Sequence, residues 1–181
     1  MKFIAEKLIE DLIAEFQVNI KRVDLLSQLP LEKLNYKSSP EKWSILECLE
    51  HLNLYGDFYV PAIEKSIQEN KLKTDDYFKS GVLGNYFVKS MKPKAKLNKM
   101  KTFSANNPAG SNLDLNVIER FNKQQHAFLK SLELAKAINL TQTKTPISVS
   151  KIVKFRLGDT FRFISAHNDR HILQAEKNVN T

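Results

Sequence analysis

His167 and His171 stand four residues apart in the segment Phe161-Arg-Phe-Ile-Ser-Ala-His167-Asn-Asp-Arg-His171-Ile-Leu-Gln174. On a helix, residues i and i+4 share a face, with Cβ atoms about 5–6 Å apart. Two imidazoles so placed can converge on one metal ion at about 2.0–2.1 Å, the usual zinc–nitrogen bond. A third histidine, His51, lies far upstream on a second segment of helical periodicity. At about 100° per residue, Asn168 and Asp169 swing off the His167/His171 face while Ile164 and Gln174 stay on it. His51 shares its stripe with Glu47, Cys48, Leu54, Tyr55 and Phe58. Both faces therefore point into a core, where helical bundles build metal sites. Two readings of the three histidines stand at this point. They bind one ion through one nitrogen each, or they are separate interfacial histidines, each satisfied by hydrogen bonds.

Four segments with a 3.6-residue period must position these side chains. The first runs from about Lys2 to Leu29 on Ile4, Leu8, Leu12, Phe16, Val23 and Leu26, and Pro30 closes it. The second opens at Ser44, where Ser44-Ile-Leu-Glu47 fits the capping box, and continues toward Glu69 with Pro61 as a kink point. The third spans about Leu115 to Ala137. The fourth begins after Gly158, with Asp159 as its expected N-cap, and runs to about Lys177. Between the second and third lies a long connection, residues 71–111, in which Tyr77 to Val88 can supply a short helix. Val153 to Leu157 alternates apolar and charged residues and reads as extended. Four long amphipathic helices with one long crossover predict an all-α chain, a four-helix bundle in a single domain over residues 1–181.

Composition narrows the function. The chain has 181 residues and 42% apolar residues, enough for a core and too few for a membrane protein. No apolar run approaches the roughly 20 residues of a membrane span. Glu6, Lys7, Glu10 and Asp11 interrupt any signal-peptide core at the N-terminus, so a soluble cytoplasmic protein is expected. The one cysteine, Cys48, has no partner for an internal disulfide and reads as a small buried residue. A net charge of +8 suggests nucleic acid, but Lys89, Lys92, Lys94, Lys96, Lys99 and Lys101 supply six of those charges from one stretch. No stacking aromatics or docking helix accompany that 89–101 segment, which argues against a nucleic-acid partner.

The windows Trp43-Ser-Ile-Leu-Glu-Cys-Leu-Glu-His51-Leu and His167-Asn-Asp-Arg-His171-Ile-Leu-Gln174 closely resemble the DinB-like superfamily, also called the YfiT/DinB group. Its recurrent features are a Trp-Ser pair opening helix two, a histidine near the end of that helix's second turn, and an H-x-x-x-H ahead of a glutamine on helix four. All three occur here in order. The resemblance covers most of the chain in helix layout, but its specific residues lie in windows 40–56 and 158–176. It implies a four-helix bundle holding a divalent metal through His51, His167 and His171. Members include thiol S-transferases that use low-molecular-weight thiols, a maleylpyruvate isomerase branch and many proteins described only as metal-dependent hydrolases. The departure is the long lysine-bearing 71–111 connection, which can alter the mouth of the site or a surface for dimerisation.

Three neutral imidazoles leave an ion its full +2 charge and an open position, which suits activation of water or of a thiol. The expectation is a metal-dependent hydrolase or thiol transferase acting on a small molecule. The alternative is a non-catalytic metal- or ligand-binding bundle. Nitrogen-only ligation suits zinc, nickel, iron or copper. Three side chains are candidate helpers: Glu47 as general base or acceptor, although the capping box competes for it; Tyr55 as a donor to an oxyanion; and Gln174 as a support for His171. Trp43 reads as a packing anchor and His126 as peripheral. Arg162 and Arg170 read as solvated positions beside the stripe of the fourth helix.

Overall fold

The computed structural model describes residues 1–70, 72–92 and 102–179. In chain order the elements are β1 (Lys2–Ile4), α1 (Ala5–Leu26), α2 (Leu31–Asn35), α3 (Ile45–Gln68), β2 (Tyr77–Lys79), α4 (Val82–Met91), a 3-10 turn (Ser104–Asn106), α5 (Asn116–Ala135), β3 (Lys144–Ile147), β4 (Ser150–Arg156) and α6 (Leu157–Lys177). The chain is thus mostly helical, as its periodicity predicts. No described helix is long and apolar enough to cross a membrane. Of the lysine-rich run, Lys94, Lys96, Lys99 and Lys101 lie outside the described residues, while Lys89 and Lys92 are exposed at the end of α4.

The four long helices are α1, α3, α5 and α6, and α1 and α3 each pack on both α5 and α6. Their directions follow from which residues meet. Asn53 of α3 donates to the Val117 carbonyl of α5, and one turn on Asp57 accepts from Gln124, so those two helices run the same way, with Arg120 held between Glu50 and Asp57. Glu15 meets Ser165, and Arg22 pairs with Asp169 and Glu176, so α1 and α6 also run alike. Two apolar clusters fill the interior. One gathers Phe16, Tyr59, Ile63, Phe128, Phe161 and Ile164; the other gathers Val23, Leu46, Leu49, Leu52, Phe121 and Ile172. On both α3 and α6 the histidines fall where membership passes from one cluster to the other.

Local chemistry explains the ends. Ser44 accepts from the Glu47 amide at 3.1 Å while Glu47 accepts from the Ser44 amide at 2.8 Å, the capping box read from the spacing. Such a cap stabilises a helix by about 1 kcal/mol. Pro61 is exposed inside α3, which continues past it to Gln68.

Several expectations are corrected. The first helix begins at Ala5, because Lys2–Ile4 is a strand paired antiparallel with Tyr77–Lys79, Phe3 opposite Phe78. That pairing and the first turn of α6 enclose the fully buried Phe78 ring. Helix α1 also stops at Leu26, and the short α2 follows Pro30. The alternation near Val153 is the second strand of a hairpin, β3 against β4, so two small antiparallel pairs accompany the helices. Asp159 is not an N-cap. The cap position is Arg156, with no side-chain cap bond, and Asp159 lies buried in the first turn. Its carboxylate accepts from the Gly81 amide at 2.7 Å and the Ser80 hydroxyl at 2.6 Å, which fastens the start of α4 to α6.

Candidate metal centre

His51 comes from the second turn of α3, and His167 and His171 from adjacent turns of α6. All three are buried, at 3%, 4% and 9% exposed. Each can offer one ring nitrogen such that the three atoms lie within 4.8 Å of one another. The Nε2 atoms of His51 and His167 are 3.2 Å apart. The ring centroids of His51 lie 5.0 Å from His167 and 4.5 Å from His171, and those of His167 and His171 are 4.7 Å apart.

Hydrogen bonds fix which nitrogens face inward. His51 Nδ1–H donates to the Asn106 carbonyl at 2.7 Å, because a carbonyl can only accept. That leaves Nε2 of His51 with a lone pair toward His167. His171 Nδ1–H donates to Gln174 Oε1 at 3.1 Å, which likewise frees its Nε2. Partners of this kind set the tautomer and ring orientation of metal-ligating histidines.

The donor set suits a divalent ion. Two nitrogens bound at about 2.0–2.1 Å in a tetrahedral site lie about 3.3–3.4 Å apart, close to the observed His51–His167 separation. Charge points the same way. Burial pushes His51 down to about 4, against the pull of the Asn106 carbonyl. Burial, then repulsion from His51 and Arg170, lowers His171 to about 3. Burial again, with His171, His51 and Arg170, holds His167 well below the usual imidazole range. All three rings are neutral at pH 7, the form in which imidazole binds metals.

Aromatic rings wall the cluster. Trp43 lies 4.8 Å from His51 and 5.8 Å from His171, so it is a flank of the site as well as a packing anchor. Tyr55 lies 4.5 Å from His167 and 5.0 Å from His51. Phe163 stacks on His167 at 5.6 Å. Burial and the neighbouring Tyr59 push the Tyr55 hydroxyl up to about 12, so it keeps its proton at neutral pH and can serve as a hydrogen-bond donor.

The remaining sequence candidates divide. Glu47 is buried, and its carboxylate takes the Ser44 amide, the Gly110 amide at 2.9 Å and the Lys37 ammonium at 3.0 Å. Burial alone would raise its pKa, but those three donors outweigh it and hold it below the usual carboxylate range. Cys48 is fully buried, and desolvation pushes its thiol up. His126 is exposed and donates to the Asn122 carbonyl, apart from the cluster. Arg162 and Arg170 correct the solvated reading. Arg162 is bound by Asp159, Ser80 and Asn85, and Arg170 is 7% exposed. Asn106, Gly110 and Lys37 were not found from sequence. A main-chain carbonyl or amide carries no residue-type signal, although Gly110 in Pro108-Ala-Gly110 marks a turn and does adopt a positive φ of 81°.

The family model described as DinB superfamily matches residues 21–175, a span that includes all three histidines, Trp43 and Gln174. No curated protein and no solved structure matches the chain.

Proposed function

The chain belongs to the DinB superfamily, and from that premise we propose that it is a metal-dependent enzyme whose His51, His167 and His171 hold one divalent transition ion. The observation that carries this reading is the convergence of three neutral, buried imidazoles, with Nε2 of His51 and His167 3.2 Å apart and two Nδ1–H groups already committed. We read residues 1–181 as one four-helix-bundle domain of a cytoplasmic protein that acts on a small molecule as a homodimer. The ion is zinc, nickel or iron. It supplies Lewis acidity, which acidifies a water or a thiol and polarises a carbonyl.

The chain's own groups have separable tasks. Asn106 and Gln174 hold protons on the outer nitrogens of His51 and His171, keeping the inner lone pairs aligned. Trp43, Tyr55 and Phe163 exclude water and lower the local dielectric, which strengthens every charge interaction inside. The Tyr55 ring packs against His167 with centroids 4.5 Å apart, and its hydroxyl is the group we assign to steady a developing oxyanion. A substrate thiol or an attacking water must bring its proton to solvent or to substrate, because Glu47 is already engaged by three donors. That same commitment of Glu47 favours one second reading, a non-catalytic metal- or ligand-binding bundle.

The test is an assay of metal-loaded protein with low-molecular-weight thiols and an electrophile, alongside amide and ester hydrolysis. Turnover that disappears in His171→Ala supports the enzyme. A loaded protein with an exchange-inert fourth position and no turnover supports the second reading.

A further inference from the structure

Glu47 sits one turn before His51 on α3, yet its carboxylate is turned to a different part of the chain. One oxygen accepts from the Gly110 amide at 2.9 Å and from Lys37, while the other accepts from the Ser44 amide. Four residues before Gly110, the Asn106 carbonyl accepts from His51 Nδ1 at 2.7 Å. The segment 106–110 is therefore fastened to α3 at two points, Asn106 on His51 and Gly110 on Glu47, with the same four-residue offset on both sides. Pro108 is buried between the two fastenings, and its carbonyl accepts from the Ser111 amide in a turn. Gly110 makes that turn with a φ of 81°, a region other residues rarely occupy.

We propose that Glu47 is a positioning residue for the metal centre. By holding Gly110 it places the Asn106 carbonyl that keeps the proton on His51 Nδ1 and leaves Nε2 for the ion. The proposal rests on the metal reading above and extends it to a group that touches no ligand nitrogen. Because coupling free energies are reciprocal, an ion on His51 also favours the fastened form of the 106–110 segment. Groups that orient a ligating histidine typically change metal affinity by about 10–100-fold when removed.

The experiment uses the full-length protein with zinc as the probe. Affinity is read by competition with a chromophoric chelator, and the segment is followed by hydrogen exchange with and without zinc. Three variants separate positioning from general stability. Glu47→Ala removes the fastening from the α3 side. Gly110→Val removes it from the segment side by backbone strain, since a Cβ there meets nothing within 4 Å. Ser44→Ala removes the helix cap but leaves the Glu47–Gly110 bond.

Zinc is expected to slow exchange across residues 104–111 in the parent. Glu47→Ala and Gly110→Val should each weaken zinc about tenfold and abolish that slowing. Ser44→Ala should lower the thermal midpoint and leave zinc affinity within about twofold. If Glu47→Ala does not fold, Gly110→Val carries the same test from an exposed turn. A parent that binds zinc, with affinity unchanged in Gly110→Val and exchange of the segment indifferent to zinc, overturns the proposal alone. A parent that takes up no zinc, nickel or iron overturns it together with the metal reading.

Discussion

Nε2 of His51 lies 3.2 Å from Nε2 of His167, although 116 residues separate them in the chain. Because Nδ1 of His51 is spent on the Asn106 carbonyl, the His51 nitrogen in that contact is an acceptor. In the metal-free protein His167 therefore donates to it through Nε2–H. On the metal reading proposed above, both Nε2 atoms would instead present lone pairs to one ion. The same pair of atoms would then serve both states, with a metal ion taking the place of the shared proton.

Metal-free protein should lose stability as the pH falls from about 6.5 toward 5. In the unfolded chain a histidine takes up a proton near pH 6.5, whereas burial holds His51 down to about 4 and His171 to about 3 in the folded chain. The unfolded state thus binds more protons throughout that window, so stability drops with falling pH by up to about 1.4 kcal/mol per pH unit for each such histidine. Urea unfolding in chelator, repeated across the window, measures the slope. His51→Gln should make it shallower, and a flat profile in the parent would rule out neutral buried imidazoles.

Gly158→Ala should destabilise the fold even though alanine favours helix by about 1 kcal/mol. A Cβ at this position would stand 2.7 Å from the Phe78 ring, which is fully buried between the short strand pair and α6. Crowding of that kind costs about 1–3 kcal/mol, so after the helix gain the net loss in a urea titration should be up to about 2 kcal/mol. Stabilisation instead would mean that Phe78 can move aside.

How much of this was legible in the sequence depends on which groups carry the structure. The capping box, the i,i+4 histidines and the third histidine are side-chain signals at fixed spacing, and each is found where the spacing puts it. The strand pair Lys2–Ile4 and Tyr77–Lys79 is too short for any periodicity to register, and its partners are distant in the chain. Asp159 has the residue type of an N-cap, but a buried carboxylate goes to whichever donors tertiary packing brings, here Gly81, Ser80 and Arg162. Asn106 reaches His51 through its carbonyl, a group common to every residue, so only the path of the long connection reveals it.

Tyr55→Phe should leave metal content unchanged, since the hydroxyl is no ligand, and should lower turnover of an active substrate about a hundredfold if the hydroxyl steadies an oxyanion. Steady-state kinetics with parallel metal analysis checks this. An unchanged kcat would return Tyr55 to a packing role beside His167 and Tyr59.

The most direct test of the three-histidine centre is elemental analysis of tag-free protein beside its His167→Ala variant. About one equivalent of a transition metal in the parent, lost from a variant that remains folded, is the predicted result. A parent that holds no metal and takes up neither zinc, nickel nor iron on addition would contradict the account. The cluster would then be three hydrogen-bonded core histidines.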